Sequence, residues 1–364
     1  MSAGKARIAL LLPDLDIGGA QRALLVVARE LLDAGYEVDI VSLTKGGKMA
    51  EECPPGARCR AFARTRLPGP LLFCVTIGPL LHYLSRERPQ AVLSTITGCN
   101  LLACVAQALT WQRRRLVVRE AVSLRNASRG RRWAVRWLYR SADEIVALSE
   151  SLAGEMQALG LSSARIHVVP NPVDSTRIGE LAKQPLPDMP AGKPFVACIG
   201  RLVEQKNHAS ALQAFAASGL RHSHVLAIAG EGPLREELYA RALALGLQGS
   251  VAWLGEVRNP YPLIAHAEAV LLTSRWEGSP NVVLEAMALG TPVIATDVPG
   301  GVRELLAGAS GHRLVPPGNV QAIGNALESI VAEGGRVPVL APAAREPARV
   351  AGLYLKLLIP GVAA

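Results

Sequence analysis

From Ser274 to Glu304 the chain reads SRWEGSPNVVLEAMALGTPVIATDVPGGVRE, which sets two acids, Glu277 and Glu285, on either side of a predicted helix start. The apolar run from Ala269 to Thr273 predicts a buried parallel strand; a Gly-Ser-Pro-Asn turn, a helix over VVLEAMAL and a terminating Gly290 follow. Glu277 then lies in the loop leaving the carboxyl end of the strand, with Glu285 about one and a half turns into the helix. Both can face the crevice where doubly wound sheets bind ligands. Carboxylates accept hydrogen bonds from sugar hydroxyls, and the amides near Pro280 and Asn281, which open the helix, attract phosphate oxygens. The pair suits a phosphorylated sugar, although either acid alone would be read as solvated, as most glutamates are.

A second constellation lies upstream in FVACIGRLVEQKN. A buried-type strand, Phe195 to Ile199, ends in Gly200-Arg201, with Lys206 just beyond and Asn207 placed to cap the helix that follows. A guanidinium, an ammonium and a helix N-terminus at one strand end form the group of donors that holds a diphosphate. The plain reading, a solvated arginine and lysine in a loop, suits each cation taken singly. Further along, VLAIAGEGPLREEL predicts a strand from Val225 to Ala229 and a tight turn, Gly230-Glu231-Gly232-Pro233, before another helix. A lone Gly-x-Gly identifies no ligand.

The elements that must hold these residues alternate along most of the chain. IALLL, the helix QRALLVVARELLDAG and EVDIVSL make a βαβ opening, and AVLSTI, LVVRE, EIVALS and IHVVP read as further strands. The class is α/β. With 364 residues, 50% hydrophobic content and only 19% charged, the chain can bury two ordinary cores. A stretch with Pro185, Pro187, Pro190 and Pro194 reads as the linker between them.

In order, Gly18-Gly19-Ala20-Gln21-Arg22 after the first strand, VVPNPVD (Val168 to Asp174), Arg201 with Lys206, Gly230 to Pro233, Trp253-Leu254-Gly255 and the Glu277 to Glu285 pair resemble the retaining glycosyltransferases of family 4. The resemblance spans residues 7 to 320. It implies the GT-B fold, two Rossmann-like domains facing each other across a cleft, with a nucleotide sugar held mainly by the second. On that basis the domains are 1–174 for the acceptor and 175–335 for the donor, with 336–364 a tail and helix that returns to the first. Arg201 and Lys206 would neutralise the donor diphosphate, Glu285 would bind the ribose hydroxyls, and Glu277 would contact the transferred sugar near its anomeric carbon. Gly18, Gly19 and Gly232 would line the nucleotide and phosphates, Pro280 and Asn281 would offer amides, and Val257 would meet the base. Transfer would retain anomeric configuration, with the leaving phosphate taking the acceptor proton. The implied donor is a UDP-sugar, or else GDP-mannose.

Two departures from that pattern stand out. REAVSLRN (Arg119 to Asn126) carries Ala121 where many relatives have a histidine, leaving Glu120 as either a sugar or acceptor contact or a plain strand-end acid. The segment from Arg336 to Pro347 is rich in proline and alanine and matches the family poorly. The nucleotide sugar is a co-substrate, so no cofactor is implied, and no metal either: Asp14-Leu15-Asp16 is a DxD, but cations already face the diphosphate, and it reads as loop chemistry. The six cysteines show no metal-ligand spacing and read as reduced thiols.

Net charge is +9 and unevenly spread, with arginines crowding Trp111 to Arg140 against the single acid Glu120. Arg132, Arg136 and Arg140 repeat at helical spacing beside Trp133 and Trp137, a surface suited to anionic lipid headgroups. The other reading is a solvated basic face with its tryptophans in the core. No nucleic-acid motif accompanies the patch. A membrane surface would fit a lipid-linked glycan acceptor in surface polysaccharide synthesis. The N-terminus lacks a signal-peptide pattern, which predicts a cytoplasmic protein, peripheral on the inner face of the cell membrane if the patch binds there. LPGPLLFCVTIGPLLHYL (Leu67 to Leu84) is apolar, yet its prolines, glycines and length favour a core or interfacial segment over a spanning helix. Two other classes compete with an active transferase: a catalytically weak nucleotide-sugar-binding subunit, and an NAD-dependent dehydrogenase. The last lacks its G-x-G-x-x-G fingerprint after the first strand.

Overall fold

The computed structural model describes residues 6–65, 67, 69–110, 112–186, 189, 192–339 and 343–361; Trp111, the linker residues Pro187 and Pro190, and residues 340–342 lie outside the described residues. The chain divides into two compact units, residues 1–172 with 343–364, and residues 173–342.

The first unit runs β1 (Arg7–Leu12), α1 (Gly19–Asp33), β2 (Glu37–Thr44), β3 (Arg58–Ala63), α2 (Gly69–Glu87), β4 (Ala91–Thr95), α3 (Thr97–Leu109), β5 (Arg115–Glu120), α4 (Arg129–Leu138), β6 (Glu144–Ala147), α5 (Glu150–Ala158) and β7 (Ile166–Val168). Its parallel sheet has the order β3-β2-β1-β4-β5-β6-β7. The central strands are buried on both faces, which is why they read as continuous apolar runs rather than alternating ones. Odd and even positions of β1 enter separate clusters. Ala9 and Leu11 pack with α2 to α5, while Ile8, Leu10 and Leu12 pack with α1. β3, RCRAFA, has no apolar run because it is an edge strand with its first four residues exposed.

The second unit runs α6 (Ser175–Leu181), β8 (Phe195–Ile199), α7 (His208–Ala217), β9 (Val225–Ala229), α8 (Arg235–Ala244), β10 (Val251–Gly255), α9 (Tyr261–His266), β11 (Ala269–Leu272), α10 (Asn281–Ala288), β12 (Val293–Thr296), α11 (Val302–Leu306), β13 (Arg313–Val315) and α12 (Val320–Glu333). Its parallel sheet has the order β10-β9-β8-β11-β12-β13. The winding direction reverses between β1 and β4 in one sheet and between β8 and β11 in the other. Loops leaving those strand pairs diverge and open the crevices where such sheets take ligands.

The last helix, α13 (Pro347–Leu358), belongs to the first unit. Val350, Tyr354 and Leu358 join the cluster of α1, and Arg115 Nε donates to Leu357 O at 3.0 Å. The segment just before it behaves differently from a tail: Val337 N donates to Gly290 O at 3.0 Å and Arg336 Nη1 to Thr291 Oγ1 at 2.8 Å, so residues 336–339 stay with the second unit.

Candidate functional site

The loops after β8 and β11 meet at the reversal of the second sheet. Lys206 Nζ donates to Glu277 Oε1 at 2.6 Å, and Ser274 Oγ donates to the same oxygen at 2.6 Å. Gln205 Nε2 donates to Trp276 O at 3.0 Å, Arg275 N to Gln205 O at 2.8 Å, and Thr273 Oγ1 to Asn207 O at 2.9 Å. Glu277 is 5% exposed, which removes the reading of it as a solvated loop acid. Glu285 is buried on α10 at 7% exposure, not on the helix's solvent side. A buried carboxylate must be partnered; for Glu277 the partner is Lys206. Pro280 is the N-cap of α10 and Asn281 its first residue, with no side-chain cap on the opening amides.

The turns around these residues are built by close backbone approach. Gly230 has φ +156°, and a Cβ there would stand 1.9 Å from Gly200 O; one at Gly232 would stand 2.4 Å from Leu202 O. Leu202 N donates to Glu231 O and Gly230 N to Gly255 O, so the β8, β9 and β10 turns are laced together. Gly300, at φ +118°, is held equally tightly: its Cβ would stand 1.9 Å from Glu277 O, while Glu277 N donates to Pro299 O at 3.1 Å. Only glycine fits such positions. Arg201 is exposed at the strand end, and Val257 packs partly buried against the core cluster that includes α9 and α10.

Asn207 stands at the N-cap of α7, but not as a cap. Its backbone is left-handed (φ 50°), its side chain accepts nothing from the helix, and its Nδ2 donates to Ser210 Oγ at 2.8 Å. Next to it His208 is 3% exposed with neither ring nitrogen hydrogen-bonded, and burial, then the Lys206 charge, pushes its pKa down to about 4. A cleft of about 700 Å³ opens here, lined by Glu204, His208, Glu237, Arg241, Ser274 and Arg275 among others. It shares Ser274 with the ion pair but includes neither Lys206, Glu277 nor Glu285.

In the first unit, Gly18 precedes α1 in extended conformation, Gly19 is the first residue of α1, and no side chain caps that helix. Asp14 Oδ1 accepts from Asp16 N at 3.1 Å and from Gln21 Nε2 at 2.9 Å, which shapes the DxD loop. Glu120 requires a correction: it is fully enclosed, accepting from Thr97 Oγ1 at 3.0 Å and Tyr139 OH at 2.6 Å, and so presents no carboxylate to a ligand. Burial pushes its pKa up, against the pull of those donors. Trp133 and Trp137 are 65% and 47% exposed on α4, which overturns the core reading; Arg132, Arg136 and Arg140 are exposed beside them.

Several supporting residues carried no motif. Ser274, Gln205 and Gly300 act through contacts with Glu277's loop. Glu155, on α5, accepts from Ser123 Oγ and Leu124 N at 2.9 Å and pairs with Arg125 Nε at 3.1 Å, pinning the loop after β5. Except for Ser274, three positions from Glu277, pairing across distant segments reveals them.

Comparison with known proteins agrees with this architecture. Residues 17–177 match the family model for Glycosyltransferase Family 4, and residues 183–346 that for Glycosyl transferases group 1. A Campylobacter jejuni N-acetylgalactosaminyltransferase acting on a diphospho-undecaprenol-linked sugar is 32% identical over 55% of this chain and 54% of its own. A 2-deoxystreptamine N-acetyl-D-glucosaminyltransferase of Streptomyces fradiae is 27% identical over 88% of this chain and 84% of its own. The chain spans about half the length of most curated relatives that it matches. Anabaena HepE in complex with UDP and glucose superposes with a TM-score of 0.78 at 19% identity, covering 97% of this chain and 99% of that one.

Proposed function

The chain belongs to the family-4 glycosyltransferases of GT-B fold, and from that membership we propose that it moves a sugar, with retention at the anomeric carbon, from a nucleotide sugar to a hydroxyl of a lipid-linked glycan. The observation that carries the donor half is the Lys206–Glu277 contact at the strand reversal, with Arg201 exposed just past the end of β8. As the diphosphate departs and the sugar becomes oxocarbenium-like, charge grows on phosphate oxygens. Preorganised cations and helix amides therefore stabilise the transition state more than the ground state. Glu277 has one oxygen committed to Lys206 and Ser274; the other takes no hydrogen bond among the described residues and is the one offered to a sugar hydroxyl. Glu285 is assigned to the ribose, and Gly18, Gly19, Gly232, Pro280, Asn281 and Val257 to the rest of the nucleotide. No base is needed if the leaving phosphate accepts the acceptor proton, and a metal is redundant beside two cations.

A UDP-sugar is the preferred donor, since HepE binds UDP and shares the fold; GDP-mannose comes next. The lipid-linked acceptor is supported by the undecaprenol-linked substrate of the Campylobacter relative, and it would place the protein peripherally on the cytoplasmic face of a membrane. Thermal-shift titration of wild type and Glu285→Ala with UDP, GDP and NAD tests the reading. A ligand at 100 times its dissociation constant adds about 2.7 kcal/mol. Stabilisation by UDP or GDP that Glu285→Ala abolishes is the expected result; a response to NAD alone, or to no nucleotide, sinks it.

A further inference from the structure

In the first unit, α2, α3 and α4 cover one face of the sheet, because Leu80 and Leu84 of α2, Leu102 of α3 and Val135 of α4 share a single core cluster. α3 packs against both neighbours. The outer sides of α2 and α4 therefore look away from the sheet in the same sense.

Those outer sides are complementary in kind. α2 exposes Leu71, Cys74, Val75, Gly78 and Pro79 at helical spacing, with Leu71 57% and Val75 47% exposed. No charged residue occurs from Gly69 to Leu81. Leu109, ending α3, is 59% exposed between them. α4 is basic on its outer side: Arg129, Arg131, Arg132 and Arg136 are exposed, and the helix contains no acid. Trp133 and Trp137 have ring centroids 6.2 Å apart, and the Arg140 guanidinium lies 4.2 Å from the Trp137 ring. An apolar stripe beside a basic aromatic one matches the depth profile of a bilayer with anionic headgroups: tryptophan and snorkelling arginine at the interface, uncharged aliphatic side chains below it. Among the described residues no helix is long and apolar enough to cross a membrane, so α2 would lie in the surface.

We propose that this flank is a two-part membrane anchor, in which α2 inserts its Leu71–Val75 stripe into the acyl boundary of an anionic bilayer while α4 seats its tryptophans and arginines among the headgroups. The anchor deepens the reading of a lipid-linked acceptor and rests on it for its purpose.

The test is co-sedimentation of the full chain with phosphatidylcholine vesicles, with and without phosphatidylglycerol, at low and high salt. Wild type partitions onto phosphatidylglycerol vesicles. Arg132→Gln/Arg136→Gln weakens that binding about tenfold and reduces its salt sensitivity. Leu71→Gln/Val75→Gln also weakens it about tenfold, close to 1.4 kcal/mol, but removes the part that survives high salt. A wild type that ignores anionic vesicles overturns the proposal, as does a Leu71→Gln/Val75→Gln variant that binds like wild type. So does light scattering that shows a wild-type dimer which those two substitutions dissociate, since the face would then belong to a second copy. UDP titration of the wild type reports on the donor site separately: a wild type that ignores anionic vesicles yet is stabilised by UDP refutes the anchor alone, and one that binds vesicles but no nucleotide refutes the transferase reading alone.

Discussion

Lys206 and Glu277 are 71 positions apart in the chain and 2.6 Å apart in the fold. Each residue type was legible as a candidate, but the sequence left open a solvated acid and a solvated lysine. What excludes those readings is burial, with the two side chains 20% and 6% exposed. The contact also fixes where the ammonium points, which is what a developing phosphate anion needs. Lys206→Ala should lower turnover by about two orders of magnitude, as loss of one preorganised donor does. It should also lower the thermal midpoint, because Glu277 would keep a buried charge without its partner, a loss of about 3–5 kcal/mol in fully buried pairs. Steady-state kinetics beside a melting curve checks both; near-normal turnover in a folded variant would falsify the catalytic role. Glu120 illustrates the reverse. A strand-end acid beside Ala121 suggested a ligand contact, yet Thr97 and Tyr139, from other segments, consume its oxygens.

Helix starts and strand ends were the most readable elements, since apolar runs, turn residues and glycine terminators are local signals. Their detail was less so. Asn207 occupies the N-cap of α7 as its type suggests, but a left-handed backbone turns its side chain away from the first-turn amides. The following His208 is left buried with both nitrogens unpaired. Its folded pKa of about 4 lies below the 6.5 of an unfolded histidine, so as pH falls the unfolded chain takes the proton first. Stability should therefore be intact above pH 6.5 and be lost as pH falls from 6.5 towards 4. His208→Leu should leave stability at neutral pH unchanged or higher, because no hydrogen bond is broken. It should also flatten the acid loss by on the order of 3 kcal/mol. Urea unfolding of both proteins across that range decides it: parallel curves would mean that His208 is not the titrating group. β3 went unrecognised for a different reason, since an exposed edge strand needs no apolar run and leaves no period to detect.

For the whole molecule, alternating strands and helices and enough apolar content for two cores were plain from the chain. The return of the last helix was implied only by the family resemblance, because the proline and alanine stretch before it carries no pattern of its own. The structure seats α13 on the first unit through Tyr354, which is 1% exposed in the cluster of α1. Arg119 donates to Thr95 Oγ1 at 2.7 Å and to Asn171 Oδ1 at 2.5 Å. Its guanidinium thus ties β5 to β4 and to the residue before the first crossing between units. Tyr354→Ala should cost about 3–5 kcal/mol, typical of truncating a buried aromatic. In hydrogen exchange the α13 amides should lose protection ahead of the rest of the first unit; full protection of α13 in the variant would rule out this anchoring.

By itself the sequence determined the class of fold, the strand ends at which ligand groups gather, and the residue types able to meet a phosphorylated sugar, because each of these is written in spacing over a few residues. Only the tertiary structure decided which strands are neighbours where the winding reverses, that Lys206 meets Glu277 there, that Glu120 is sealed inside, and that Trp133 and Trp137 face out. Those outcomes depend on pairing and burial between segments far apart in the chain, and no local pattern carries that information.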